Sequence, residues 1–225
     1  MPAHDSSALK SRYRALLFDM DGTVLNSIAA AERIWRAWAL RHGLDVAAFL
    51  PTIHGARSVD TVARLALPGV DAEAEAHGIT QAEIEDVDGI VEVPGAISFL
   101  NSLPAASWAI VTSAPKALAI RRLNAAGIPI PPVLVTSEDV AAGKPNPDCY
   151  LLAARKLGVN AGDCLVFEDA AVGILAGEAA GAKVLVVTAT HAHAMDTLHA
   201  SISSYEGLLA SVDGDGLILL EERPI

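Results

Sequence analysis

The chain has 225 residues, 52% of them hydrophobic and only 4% aromatic, with a formal net charge of −11. That length suits one large domain, or a core carrying a smaller second domain. The acidity, with no cluster of Lys and Arg, argues against nucleic acid or an anionic membrane as partner, because counterion release needs basic groups.

The opening stretch "MPAHDSSALKSRYR" lacks the apolar core of a secretory leader. No apolar run approaches the ~18 residues of a membrane span. Cys149 and Cys164 sit in apolar contexts and read as small buried hydrophobes, not as a disulfide. A soluble, cytoplasmic protein is expected, as a monomer or weak homodimer.

The first predicted strand is "ALLF", which runs into Asp19, with a second acid, Asp21, two places on. Residues 27 to about 93 then read as helical. "IAAAERIWRAWALRHG" carries Ile28, Ile34, Trp35, Trp38 and Leu40 on a broad apolar stripe and stops at Gly43. "SVDTVARLAL" is stopped by Pro68 and Gly69, and "AEAEAHGITQAEIEDV" is expected to break at Gly78, its acids forming a solvated face. The tryptophans read as core of this helical insert. Asn26–Ser27 and Val93–Pro94–Gly95 are its expected hinges.

After residue 94 the pattern alternates. "WAIV" ends at Thr112 and Ser113, "VLV" at Thr136, "CLVF" at Glu168 and Asp169, and "VLVV" at Thr188. Uninterrupted apolar strands indicate burial on both faces, as in a parallel sheet. Helices are predicted between them over 115–126, 147–157 and 172–180, closing on Gly127, Gly158 and Gly181. Strand and helix in alternation define a doubly wound α/β fold, in which ligands bind outside the carboxyl ends of the strands. The polar residues just named all fall there. The run "HAHAMDTLH" (191–199) is expected to be a loop with solvated histidines, and not a zinc site.

Several carboxylates converging on one crevice repel. Two unit charges ~4 Å apart cost about 4 kcal/mol at an effective dielectric of 20. Such a cluster calls for a cation, and carboxylate oxygens without Cys or His suit Mg²⁺. Lys144, in "GKPNPD", adds fixed positive charge. Thr112 and Ser113 offer hydroxyls and N–H groups to an anion near a helix start. Together these features predict a phosphate site with a metal beside it.

"FDMDGTV", "VTSAP", "GKPNPD" and "FEDAAVG" resemble, in order, the four motifs of the haloacid dehalogenase superfamily. "HGARSVDT", "PGAISFLNSLP" and "WAIVTSA" are most similar to its sugar and polyol phosphate phosphatases. The resemblance implies a Rossmann-like core over 1–26 and 94–225 and an all-helical cap over 27–93. It implies that Asp19 is the nucleophile, Asp21 the general acid and base, and Lys144 the conserved-motif lysine. Thr112 and Ser113 would hold the phosphoryl group. Mg²⁺ would be held by Asp19, the Asp21 carbonyl and Asp169, with Glu168 as a ligand or bound to the metal's waters. His54 and Arg57, in the cap segment "IHGARS", are expected to read the far end of a small sugar or polyol phosphate. A phosphomutase like β-phosphoglucomutase is the alternative. A phospho-accepting receiver switch is disfavoured, because its lysine follows all its acids, whereas Glu168 and Asp169 come after Lys144.

Overall fold

The computed structural model describes residues 8–191, 195 and 197–222. Its main sheet has six strands: β1 (Ala15–Phe18), β2 (Trp108–Val111), β3 (Val133–Val135), β4 (Cys164–Glu168), β5 (Lys183–Val187) and β6 (Ala200–Ile202). Their spatial order is β3-β2-β1-β4-β5-β6, and every neighbouring pair is parallel. The order reverses between β1 and β4, so the crevice of a doubly wound sheet opens at their carboxyl ends. Asp19 and Asp169 lie there.

Alternation along each strand divides the core. Leu16 and Phe18 of β1, with Ile110, Leu165, Phe167 and Leu185, pack on one face against α5 (Ala96–Ser102) and α6 (Lys116–Ala126). Ala15 and Leu17, with Ala109, Val166 and Val186, face α7 (Asp148–Lys156) and α8 (Ala171–Ala179) on the other. Phe18 stacks on Phe167 at 4.4 Å between ring centres, fixing β1 against β4 directly beneath the site. α6 ends on Gly127 in the left-handed conformation (φ 70°), and the chain turns through Gly158 and Gly181 after α7 and α8 with similar positive φ. Cys149 and Cys164 are free and buried.

The segment after β1 holds α1 (Ile28–Arg41), α2 (Val46–Phe49), α3 (Ser58–Arg64) and α4 (Ala72–Glu85) around a core of its own. Trp35 and Trp38 centre that core, edge to face at 5.6 Å. The chain leaves and re-enters the α/β core through one short antiparallel ribbon, Leu25–Asn26 against Val91–Glu92.

Four expectations change. Gly78 does not break α4, because the helix hydrogen bonds run through it and nothing crowds its Cα. Leu40 points outward and is 65% exposed, one helical position off the stripe. The acidic face of α4 is not wholly solvated, since Glu83 is buried. "HAHAMDTLH" is more engaged than a solvated loop: His191 Nε2 lies 2.9 Å from the Asp169 carbonyl and His199 Nε2 2.8 Å from Glu178. His193 falls outside the described residues. The sheet also gains β6, and a three-stranded antiparallel sheet forms from Arg12–Tyr13, Ile218–Glu222 and Leu208–Val212.

Candidate active site

β1 is fully buried and delivers Asp19 to the bottom of the crevice, where the Asp19 N–H still bonds the Phe167 carbonyl at 2.9 Å. The chain then reverses tightly, with the Met20 carbonyl accepting from Thr23, Val24 and Leu25 at 3.3, 3.0 and 3.2 Å. Gly22 adopts φ 85° in this turn, a region that disfavours any residue with a Cβ. A Cβ there would also stand 2.0 Å from Asp169 Oδ2. One glycine thus permits both the return of Asp21 over the site and the seating of the Asp169 carboxylate. Thr23 donates to Asp169 Oδ1 at 3.2 Å and fixes its orientation.

Lys144 is the hub of the buried charges. Its ammonium donates to Asp19 Oδ1 at 2.5 Å, Glu168 Oε1 at 2.7 Å and the Val111 carbonyl at 3.3 Å. Burial works against its charge, yet Asp19 and Glu168 outweigh burial and hold the lysine well above its ordinary value. Tyr150 donates to Glu168 Oε1 at 2.9 Å, and the Asp169 and Ala170 N–H groups donate to Oε2 at 2.9 and 3.0 Å. A carboxylate has about four lone-pair sites, and these four donors occupy those of Glu168. Its carboxylate also needs Gly173 on α8, where a Cβ would come within 1.5 Å of Oε1.

The remaining acids lack that compensation. Burial raises Asp19 to about 8, against the pull of Lys144, with Glu168 and Asp21 adding to the rise. Burial, Glu168 and Asp19 likewise hold Asp169 well above the carboxylate range. Oxygens of Asp19, Glu168 and Asp169 all lie within 4.8 Å of one another. No protein donor among the described residues reaches Asp19 Oδ2 or Asp169 Oδ2. An all-oxygen donor set, under-neutralised and with free lone pairs, fits a hard divalent cation. Asp19 and Asp169 are the carboxylates free to hold it.

Asp21 turns the other way. Its Oδ1 accepts from the Ser27 hydroxyl at 2.5 Å and from Arg122 at 3.0 Å. The second arm of Arg122 pairs with Glu83 on α4 at 3.1 Å. Thr112 Oγ1 accepts the Ala114 N–H at 3.0 Å, so that N–H is not free for an anion while the Thr112 hydroxyl proton remains available. The Ser113 hydroxyl is committed to the Gly55 carbonyl of the helical segment at 2.8 Å.

Asp19, Asp21, Thr112, Ser113 and Asp169 line one partly open cavity of about 80 Å³, together with His54 and Glu83. Lys144 lies beneath, 1% exposed. Arg57 is not brought to this cavity. It pairs with Asp60 at 2.6 and 2.9 Å and reaches the Ala141 carbonyl of the α/β core at 3.1 Å. The motifs gave no signal for Glu83, Arg122 or Tyr150 as site residues. A glycine inside the apolar helix α8 was the one visible hint of the Glu168 seat.

The haloacid dehalogenase-like hydrolase family matches residues 13–181. Hexitol phosphatase A of Escherichia coli (strain K12) is 42% identical over 182 residues, 79% of this chain and 84% of that protein. Glycerol-1-phosphate phosphohydrolase 2 of Saccharomyces cerevisiae (strain ATCC 204508 / S288c) is 33% identical over 193 residues, 81% and 77% of the two chains. The crystal structure of a hydrolase from Pseudomonas syringae aligns with a TM-score of 0.70 at 28% identity, over 78% of this chain and 84% of that one. The chain belongs to the haloacid dehalogenase-like hydrolases.

Proposed function

We propose that the protein is a Mg²⁺-dependent phosphatase of small sugar or polyol phosphate monoesters, working through a phosphoryl group carried on Asp19. Its class, phosphoric monoester hydrolase, agrees with the family and with the phosphatases it resembles. The observation that carries the mechanism is the pairing of Asp19 with Lys144 at the floor of the cavity, beside an acid with a free oxygen.

Asp19 attacks phosphorus in line, and the P–O bond to the sugar breaks. Asp21 gives a proton to the departing alkoxide, then takes one from the water that attacks the aspartyl-phosphate. The Thr112 hydroxyl binds a phosphoryl oxygen, and Lys144, with its three N–H groups given to Asp19, Glu168 and the Val111 carbonyl, supplies positive charge from beneath. A Mg²⁺ ion held by Asp19, Asp169 and the Asp21 main-chain carbonyl would supply the charge that offsets repulsion between carboxylate and phosphate. Glu168 serves as the anchor of Lys144, since its lone pairs are taken.

Residues 27–93 act as a cap on a core of 1–26 and 94–225. The cavity of about 80 Å³ is below the ~300–1,000 Å³ of typical small-molecule sites. The cap therefore opens to admit substrate, bending at the Leu25–Asn26 and Val91–Glu92 ribbon. Closure shuts out water, and the Ser113–Gly55 and Arg57–Ala141 contacts hold it. A mutase would have to seat a second phosphoryl group at the far end. The only Arg or Lys lining the cavity among the described residues is Arg122, already shared by two carboxylates.

The test is phosphate release from a panel of hexitol, glycerol, sugar and nucleoside monophosphates, with Mg²⁺ and with excess chelator. Metal-dependent turnover confined to the hydroxylated small esters supports the reading. Full activity in chelator, or a preference for nucleotides, refutes it.

A further inference from the structure

Glu83 is the one cap carboxylate that lines the cavity, and nothing in the chemistry of phosphoryl transfer uses it. It is 5% exposed and paired with Arg122 at 3.1 Å. That pairing leaves lone-pair sites of the Glu83 carboxylate open. The Arg122 guanidinium, itself 6% exposed, is spent on Asp21 and Glu83, and its Nε finds no acceptor. Around them the cavity is apolar, with Ile28, Trp35 and Ile53, or carries His54. Burial holds the His54 imidazole below its ordinary value, against the opposing pull of Glu32.

The Glu83 side of the cavity therefore presents hydroxyl acceptors and one cation, Arg122, whose charge the two carboxylates Asp21 and Glu83 outweigh. A hydroxylated carbon chain can donate to the open lone pairs of Glu83. A second phosphate or a carboxylate there would be buried beside two carboxylates that already outweigh Arg122, a juxtaposition that discriminates between ligands. We propose that Glu83, held in place by Arg122, is the specificity-determining residue that admits neutral polyol chains and rejects esters with a second anionic group. This rests on the phosphatase reading above and adds to it the class of substrate and the residue that selects it.

The test uses the full chain with Mg²⁺ and two matched pairs of esters. One is a hexitol 6-phosphate and the corresponding aldonic acid 6-phosphate; the other is glycerol 1-phosphate and 3-phosphoglycerate. Within each pair a terminal CH₂OH becomes a carboxylate. The wild-type kcat/KM ratio should favour the polyol by about 100-fold or more in at least one pair. In Glu83→Gln that ratio should shrink by about tenfold or more, through loss on the polyol and gain on the acid. Wild-type values within threefold of each other in both pairs overturn the proposal, as does a Glu83→Gln ratio equal to that of wild type. Should Glu83→Gln not fold, removal of the substrate hydroxyl decides: a terminal deoxyhexitol phosphate should lose about tenfold in wild type, and equal turnover overturns the assignment. Failure of the phosphatase reading is distinct, since wild type would then release phosphate from none of these esters.

Discussion

Two glycines inside helices give opposite predictions for the same substitution. Gly→Ala in a helix interior ordinarily stabilises by about 0.5–1 kcal/mol. Gly78, in the middle of α4, has open space where a Cβ would go. Gly78→Ala should therefore raise Tm by about 1–4 °C, at about 2–4 °C per kcal/mol for a chain of this size. Gly173, in α8, has the Glu168 carboxylate in that space, with Oε1 1.5 Å from the Cβ position. Glu168 has nowhere to retreat, being fully buried in β4. Its displacement would uncouple Lys144, Tyr150 and two N–H groups together. Breaking a buried charge pair costs about 3–5 kcal/mol, so Gly173→Ala should lower Tm by about 6–20 °C and depress turnover. Thermal unfolding followed by circular dichroism, with phosphate release measured on the same samples, decides this. A Gly173→Ala protein as stable as Gly78→Ala would refute the Glu168 seat and the lysine anchoring built on it.

Three further outcomes are expected. In the metal-free protein the raised Asp19 keeps a proton that the unfolded chain loses near its ordinary 3.8, so this group's contribution to stability is complete at low pH and is lost as pH rises to about 8. Mg²⁺ must displace that proton, so the Tm gain on adding Mg²⁺ should grow from pH 6 to 8, with proton release seen by calorimetry in two buffers. Asp21→Asn should hydrolyse hexitol and glycerol phosphates poorly yet retain phosphoryl transfer from acetyl phosphate, whose leaving group needs no proton; equal losses on both would remove Asp21 from the acid role. Arg57→Ala loses the contact with the Ala141 carbonyl, worth ~1 kcal/mol, and should lower kcat/KM by about fivefold for polyol phosphates and acetyl phosphate alike. A loss confined to the polyol esters would return Arg57 to substrate selection.

The strands that build the site were legible because each is a short apolar run with a polar stop, and the parallel sheet buries both faces. Asp19, Asp21 and Asp169 were legible because acids at or just past the ends of such runs need a purpose, and Lys144 because it stands in "GKPNPD". Side-chain partnerships were not. Arg122 sits in "LAIRRLNAA" beside Arg121, and periodicity alone gives no reason for one to be buried and the other exposed. Glu83 looks like any acid in an acidic helix until α6 brings Arg122 against it. The direction of Arg57 depends on Asp60 and on the Ala141 carbonyl, 84 residues away in sequence. The antiparallel sheet of Arg12–Tyr13, Leu208–Val212 and Ile218–Glu222 pairs the two ends of the chain, a long-range contact that local patterning does not carry.

The central claim is that Asp19 itself carries the phosphoryl group. Wild type and Asp19→Asn should be mixed with acetyl [³²P]phosphate and Mg²⁺, quenched in acid within milliseconds, and digested for peptide mapping. Label should appear in wild type on the peptide that contains Asp19, vanish on treatment with hydroxylamine as an acyl phosphate does, and be absent from Asp19→Asn. Asp21→Asn should accumulate more label than wild type, because the water that clears it lacks its base. Steady turnover by wild type with no acid-stable label at any quench time, or equal labelling of Asp19→Asn, would contradict the account.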